Sequence, residues 1–348
     1  MTNMLCIFIL PAIFILTLFL ASVNHKTSSF SSIYTLVYCI IGLLLVMAVI
    51  TRPSSMVDYS NYVEAYIKGS NRFEPSFSII RNISLTFTDS HLLMMFIYGS
   101  ISISITMVAI YKNSYTLWYS VLIWLSYIFI IQDMIQIRQA IASAIFLYAI
   151  PYIESKQIKI YILLNIIAIL FHYSALAFLP LYFLSPQKSY KLFYTLLIPV
   201  SYILYFGNTQ LIYILQNIDI DFITNLWNTK VNTLEVTEDV NLYNKRQIIQ
   251  VAFCTLLWIN VDKITKTIPS ALLYLKIYTI AICTFIILFD VPDIASRLNV
   301  LYIIVEVIIV PIAAITLKPQ FIWKIIILLM AIVFFTTYYY RYVLSSIL

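Results

Sequence analysis

Long apolar runs with few interruptions are the feature of this sequence that most limits its fold. Of the 348 residues, 62% are hydrophobic and 10% are charged, whereas a soluble globular chain carries about 25% charged residues. One aqueous core cannot hide that much apolar surface, so most of the runs must face lipid. Each approaches the roughly 20 residues that a membrane-spanning helix needs. They are 4–22, 31–51, 91–111, 115–132, 138–153, 159–184, 190–206, 246–261, 269–289, 298–317 and 320–340.

These runs predict an all-α, polytopic integral membrane protein with about 11 or 12 transmembrane helices. Residues 1–348 are expected to form a single membrane domain. The four cysteines lie inside apolar runs and have no CxxC spacing, so neither a zinc site nor a disulfide framework is expected. No basic patch with interleaved aromatic residues occurs, and nucleic acid is therefore not an expected partner.

The lysines predict the orientation of the helices, because the cytoplasmic flanks of membrane spans carry an excess of positive charge. Run 159–184 has lysines at both flanks, and one straight helix cannot place both flanks in the cytoplasm. We therefore predict that 159–184 is a helical hairpin broken near His172. With that break, the following lysines lie on the cytoplasmic side: Lys26, Lys112, Lys156, Lys159, Lys188, Lys191, Lys263, Lys266 and Lys318.

The same orientation places both termini and the segments 52–90 and 207–245 outside. Segment 52–90 is predicted to be an outer loop with an interfacial helix. Segment 207–245 is a large outer loop that either covers a carbohydrate site or is a solvated connector. Every arginine falls on the outer side or at its edge: Arg52, Arg72, Arg81, Arg138, Arg246, Arg297 and Arg341. Because the planar guanidinium can bind phosphate or carboxylate through two hydrogen bonds, this distribution indicates a function.

Three motifs place polar side chains at the outer mouths of predicted spans. In "IRQAIASAI", Arg138 and Gln139 precede small residues that let helices approach closely. In "FHYSAL", His172 interrupts an apolar run, where ionisable residues are rare and usually functional. In "DVPDIASRLNV", Arg297 follows two aspartates at the depth of Arg138. The alternatives are an arginine that reaches the lipid headgroups, a histidine satisfied in the core, and an Asp–Arg pair that fixes a turn.

Two further motifs lie in the outer segment 52–90. In "VDYSNYVEAY", Asp58 stands beside tyrosines at helical spacing that include Tyr62; the tyrosines alone could be an interfacial belt. In "FEPSFSIIR", Pro75 is typical of the first position of a helix. Glu74 and Arg81 are seven residues apart, so they share one face of that helix.

Together these segments resemble the EpsG-like branch of the Wzy-type polysaccharide (O-antigen) polymerases. The motifs "DYSNY", "EPSF", "IRQAIASAI", "FHYSAL" and "SRLNVLY" follow in the family order and span nearly the whole chain. One departure is that the family often has a glycine shortly before the aspartate, where Met56 and Val57 stand here. The residues that carry the resemblance are Asp58, Tyr62, Glu74, Pro75, Arg138, Gln139, His172 and Arg297.

The resemblance implies a GT-C-like membrane glycosyltransferase. Such an enzyme joins undecaprenyl-diphosphate-linked oligosaccharide repeats into the O-antigen of lipopolysaccharide, capsule or exopolysaccharide. The donor and acceptor repeats and the lipid bilayer are its expected partners, and a chain-length regulator protein is a further partner that the resemblance allows. The implied location is the bacterial inner membrane, with the active site facing the periplasm or exterior.

The chemistry of that transfer assigns roles to the motif residues. An acceptor hydroxyl needs a general base within hydrogen-bond reach, and arginines can neutralise a departing diphosphate. No glycine-rich phosphate loop or HExxH motif occurs, so side chains must hold the phosphates, and neither cofactor nor metal is expected. The candidates are His172, Asp58 and Glu74 as base, Arg138, Arg297 and Arg81 for the diphosphate, and Tyr62 and Gln139 for substrate contact.

Two other classes of membrane protein remain as alternatives. A transporter or flippase of lipid-linked sugars usually carries charge at the middle of the bilayer and breaks in several spans, whereas the charge here crowds the outer face. A multi-span sugar acyltransferase needs a site for an acyl donor that faces the cytoplasm. The state of the glycan in a deletion strain, polymerised or single-repeat, separates the three classes.

Overall fold

The computed structural model describes residues 5–23, 32–69, 73–207, 245–289 and 291–347. Within these ranges every regular element is a helix. The predicted large outer loop 207–245 lies outside them apart from its two end residues, and so do Arg72 and Asp290.

The helices are numbered in chain order, with short π-helical and 3-10 segments between some of them. The first are α1 (Leu5–Val23), α2 (Ser32–Ile50), α3 (Tyr59–Lys68), α4 (Pro75–Phe87), α5 (His91–Asn113), α6 (Leu117–Ile123), a π-helical segment (Trp124–Ile128 and Ile130–Ile135), α7 (Ile137–Glu154), α8 (Ile158–Phe171), a 3-10 helix (Tyr173–Phe183) and α9 (Lys191–Phe206). The later ones are α10 (Lys245–Ile259), α11 (Val261–Thr267), α12 (Ala271–Ile287), α13 (Pro292–Tyr302), a 3-10 turn (Ile303–Val305), α14 (Glu306–Thr316), α15 (Gln320–Tyr339) and a π-helical end (Tyr340–Leu344).

Several of these helices can cross a membrane. Within the described ranges, the five that are long and apolar enough are Leu5–Val23, Ser32–Ile50, His91–Asn113, Ile294–Thr316 and Gln320–Leu344. The pair α10 and α11, bent by 71° at its break, would be a sixth span. Other predicted runs form shorter apolar helices of 10–17 residues. The prediction of an all-α, polytopic membrane protein is confirmed.

The run 159–184 folds back on itself at His172. That residue has extended backbone (φ −155°, ψ 116°) and separates α8 from the 3-10 helix. The Tyr161 hydroxyl donates to the carbonyl of Phe178 at 2.6 Å, and Lys156 Nζ donates to the carbonyl of Leu184 at 3.1 Å. The two arms are therefore antiparallel, and His172 lies at the tip of the hairpin.

Helix α7 forms the centre of the bundle. Its small residues Ala140, Ala142, Ser143 and Ala144 are all buried, which lets neighbouring backbones approach closely. Helices α1 and α15 are largely exposed along their apolar lengths, as lipid-facing helices are.

The two ends of the bundle carry different basic residues. Arg138 lies in the first turn of α7, and Lys156 follows its last turn. The 18 residues of α7 separate these ends by about 27 Å at 1.5 Å rise per residue. At the lysine end, Lys112 donates to the Tyr148 hydroxyl at 3.1 Å and Lys191 pairs with Asp262 at 3.2 Å. Which end faces the cytoplasm stays a prediction.

Candidate active site

Glu74 organises a buried polar cluster at the arginine end of the bundle. It precedes Pro75, the first residue of α4, and its backbone is extended (φ −62°, ψ 157°), as steric contact with a following proline requires. The Glu74 side chain is only 5% exposed, so its charge needs partners within the protein.

Three donors share the Glu74 carboxylate. Arg138 pairs with Oε2 through Nη1. His172 Nδ1 lies 3.0 Å from Oε1, and the backbone N–H of Tyr173 donates to the same oxygen at 3.2 Å. Three separate motifs of the sequence therefore meet on one carboxylate: the start of α4, the start of α7 and the tip of the hairpin.

The partners of Glu74 fix its ionisation state. Burial works to raise the pKa of its carboxyl group, but the hydrogen bond from His172 and the positive charge of Arg138 outweigh burial and hold the pKa at about 2. At neutral pH the carboxylate is therefore ionised and can only accept hydrogen bonds.

An ionised Glu74 also fixes the tautomer of His172. Because the carboxylate cannot donate, Nδ1 of the imidazole must carry the proton that joins the two groups. In the neutral ring, Nε2 then has a free lone pair. Nε2 is buried and has no hydrogen-bond partner among the described residues. The arrangement leaves one imidazole nitrogen oriented and without a partner among the described residues.

Arg138 is held on its other faces by aromatic rings. Its guanidinium carbon lies 4.0 Å from the ring centroid of Phe73 and 5.7 Å from that of Tyr62, within the range of cation–π attraction. Its Nε atom is buried and unpartnered in the part of the chain that the structure describes. Glu74 and the two rings therefore position the Arg138 guanidinium, and its Nε–H remains a donor with no partner among the described residues.

Arg297 and Gln139 meet at the same end of the bundle. The Gln139 amide donates to the backbone carbonyl of Arg297 at 2.7 Å. The positive charge of Arg297 acts on His172, so this arginine belongs to the electrostatic surroundings of the cluster. The Gln139 amide thus binds the backbone of α13, and its contact with substrate stays a prediction.

Asp58 and Arg81 lie around α3 and not on the Glu74 carboxylate. Asp58 has a left-handed backbone (φ 64°) just before α3, and its carboxylate accepts from Asn61 at 3.2 Å. Left-handed residues are usually glycine, asparagine or aspartate, so Asp58 itself takes up a strained turn next to the position where the family often has glycine. Arg81 donates to the carbonyls of Tyr66 and Ile67 at 2.6 and 3.3 Å, which secures the end of α3.

The sequence reading missed buried polar groups in the spans. Glu306 is 2% exposed and accepts from the Tyr127 hydroxyl and, at 2.9 Å, from the Gln250 amide. Asp133, also 2% exposed, accepts from Ser102 at 2.5 Å. The signal was present for Glu306, a lone acidic residue in "YIIVEVIIV". Among the described residues, no three His, Cys, Asp or Glu side chains are grouped to hold a metal ion.

The fold and the site together define a polytopic membrane protein with a histidine and an arginine paired on one buried carboxylate. Comparison with known families agrees with the motifs: the family model described as the EpsG family matches residues 34–347, nearly the whole chain. The chain belongs to the EpsG family. This membership indicates a membrane protein of the polysaccharide-polymerase kind. No curated protein and no solved structure matches the chain.

Proposed function

We propose that the protein is a polysaccharide polymerase at the outer face of the bacterial inner membrane. It joins oligosaccharide repeats carried on undecaprenyl diphosphate into O-antigen, capsule or exopolysaccharide. The observation that carries the proposal is the Glu74 cluster, which supplies an oriented histidine nitrogen and an arginine fork side by side. Transfer from a lipid diphosphate to a sugar hydroxyl needs both groups.

The reaction uses one group at the attacking hydroxyl and the other at the departing diphosphate. The acceptor hydroxyl oxygen attacks the anomeric carbon of the growing chain, and the bond from that carbon to the diphosphate oxygen breaks. His172 Nε2 takes the hydroxyl proton as general base. Undecaprenyl diphosphate leaves with the bonding electron pair, and Arg138 with Arg297 stabilises the added negative charge.

The ion pair of Glu74 with Arg138 and its bond with His172 favour His172 over Glu74 as the base. A base with a pKa of about 2, like Glu74, accepts a proton poorly near neutral pH, because efficiency is best when the pKa lies near the working pH. We assign Glu74 the role of orienting His172 and Arg138. Asp58 lies one turn before Tyr62, and its electrostatic contact with Tyr62 gives it a place at the edge of the site.

A deletion strain tests the proposed function. Loss of a polymerase leaves single repeats on the cell surface and removes the ladder of longer chains. Loss of a flippase removes surface glycan altogether, and loss of an acyltransferase leaves long chains that lack acyl groups. We expect single repeats, with the ladder restored by the wild-type gene and not by Arg138→Ala. Long chains of normal length in the deletion strain would contradict the proposal.

The buried Glu306 bears on one alternative, a transporter or flippase of lipid-linked sugars. Ionisable residues inside membrane spans often mark transport pathways, and Glu306 lies nine residues beyond Arg297, about 13 Å along the helix axis. Its bonds to Tyr127 and Gln250 also suit a purely structural role. The deletion strain decides between the two classes, because a flippase and a polymerase give different surface glycans.

A further inference from the structure

Two buried glutamines hold one turn of α13 against the chain segment that carries Arg138. Gln132 Nε2 donates to the carbonyl of Val300 at 2.6 Å, and Gln139 Nε2 donates to the carbonyl of Arg297 at 2.7 Å. The two glutamines are 2% and 3% exposed. Positions 297 and 300 are three residues apart and therefore share one helix face. Both amides thus bind the turn that presents Arg297.

The backbone between the two glutamines is not a continuous α-helix. Gln132 lies in the π-helical segment, which ends at Ile135, and Gln136 has φ −100° and ψ 58° before α7 begins. Because the helical hydrogen bonds are interrupted here, they do not fix the angle between the π-helical segment and α7. Arg52 adds a bond there, since its Nη1 donates to the carbonyl of Met134 at 2.6 Å. Side chains therefore secure the junction that leads into the turn with Arg138.

We propose that Gln132 and Gln139 are positioning residues that act through Arg297. By binding α13 on both sides of the junction, they set where the Arg297 guanidinium lies relative to Arg138 and His172. The inference rests on the proposed function, in which the two arginines receive one departing diphosphate. Two guanidinium groups can share a diphosphate only when their separation matches it, so a small displacement of α13 weakens the contact.

A role in helix packing alone is the simpler alternative. Buried amides between helices stabilise many membrane proteins, and such a role requires only that the two surfaces fit. Methionine has nearly the same length and volume as glutamine but no donor. The substitution Gln132→Met therefore removes the bond to α13 while it preserves the packing. Comparing its effect in the wild-type protein and in an Arg297→Ala protein separates the positioning role from the packing role.

The test is a double-mutant cycle on purified protein with undecaprenyl diphosphate as the binding probe. We expect Gln132→Met to raise the Kd of the wild-type protein for this lipid about 10-fold, and to lower kcat for polymerisation by about 10- to 100-fold. In an Arg297→Ala background, the same substitution should change the Kd by less than about 2-fold, because the group through which it acts is gone.

Gln250→Met is the matched control. Gln250 is 1% exposed and donates to Glu306 at 2.9 Å, so its loss removes a buried amide bond to the first residue of α14 and none to α13. Its effect on the Kd should be equal in the two backgrounds. Hydrogen exchange gives a readout that needs no ligand: Gln132→Met should speed amide exchange in α13, and Gln250→Met should not.

Two results overturn the inference. An equal effect of Gln132→Met on the Kd in both backgrounds shows a packing role, and so does unchanged exchange in α13. These results leave the proposed function intact as long as the wild-type protein forms polymer. If the wild-type protein neither binds undecaprenyl diphosphate nor forms polymer, the proposed function fails, and the positioning role fails with it even where α13 exchanges faster.

Discussion

Replacing Glu74 with glutamine removes the charge that Arg138 and His172 share. The pKa of Glu74 lies at about 2 in the folded protein, against an ordinary value of 4.5. A difference of that size corresponds to about 3 kcal/mol, at about 1.4 kcal/mol per pKa unit. Breaking a buried ion pair by removing one partner costs about 3–5 kcal/mol on independent grounds. We therefore expect Glu74→Gln to lose roughly 3 kcal/mol of stability near neutral pH.

This contribution has a defined dependence on pH. Because the folded pKa of Glu74 is depressed, its stabilisation is complete above pH 4.5, the ordinary value, and is lost as pH falls toward about 2. Thermal unfolding of the wild type and of Glu74→Gln in detergent, at pH 7 and at about pH 3, measures it. The difference in Tm between the two proteins should shrink to less than half at the lower pH.

The effect of Glu74→Gln on the rate should exceed its effect on stability. A glutamine can present its amide N–H to His172 Nδ1, which moves the ring proton to Nε2 and blocks proton acceptance there. Where a carboxylate that orients a catalytic histidine is replaced by an amide, kcat falls by about 10⁴. The assay is the initial rate of polymer formation by purified protein from lipid-linked repeats. Glu74→Asp, which keeps the charge, should retain more activity than Glu74→Gln. A Glu74→Gln enzyme within about 2-fold of the wild-type rate would refute the reasoning.

Three further predictions concern the arginines, the histidine and the orientation. Arg138→Lys and Arg297→Lys should reduce polymer length nearly as much as alanine does, because lysine keeps the charge but loses the planar fork; normal ladders at normal protein level would show that a point charge suffices. His172→Gln should abolish chain growth while the protein still binds the donor. The control is His91→Gln, which should retain activity; the His91 imidazole bonds the hydroxyl of a tyrosine at 2.7 Å. Full turnover in His172→Gln would show that His172 is not the base. A cysteine introduced at Ser55 should react with impermeant reagent from outside, and labelling from the cytoplasm alone would reverse the predicted orientation.

The fold could be predicted from the sequence because lipid imposes a simple rule on it. Apolar runs of about 20 residues must be helices when backbone groups cannot bond to water. His172 shows how far this reasoning extends: lysines on both flanks of 159–184 pointed to a hairpin, and the chain does fold back at that residue. The π-helical winding of Trp124–Ile135 has no comparable signal in the sequence: Gln132 and Asp133 interrupt the apolar run, but nothing in their spacing indicates a wider helix.

The residues of the candidate site could be identified from the sequence, but the contacts between them could not. Each of the three residues was identifiable in the sequence: Glu74 in the charged segment 52–90, Arg138 at the mouth of an apolar run and His172 within one. Their meeting on one carboxylate depends on the angles at which three loops enter the bundle, and these angles leave no pattern in the sequence. Gln139 illustrates the limit: no sequence pattern indicated that its amide donates to the carbonyl of Arg297, and its contact with substrate stays a prediction.

The shared carboxylate gives a physical reason for arginine at this end of the bundle. A lysine could neutralise Glu74, but its ammonium group lacks the planar fork that binds carboxylate and phosphate in fixed directions. The guanidinium of Arg138 donates to Glu74 through Nη1 and still has an unpartnered Nε among the described residues. One side chain can therefore anchor the carboxylate that orients His172 and, in the proposed reaction, receive the diphosphate. Negative charge arriving on Arg138 would weaken its hold on Glu74 and leave that carboxylate freer to stabilise a protonated His172. Proton acceptance and departure of the diphosphate are then coupled through a single residue.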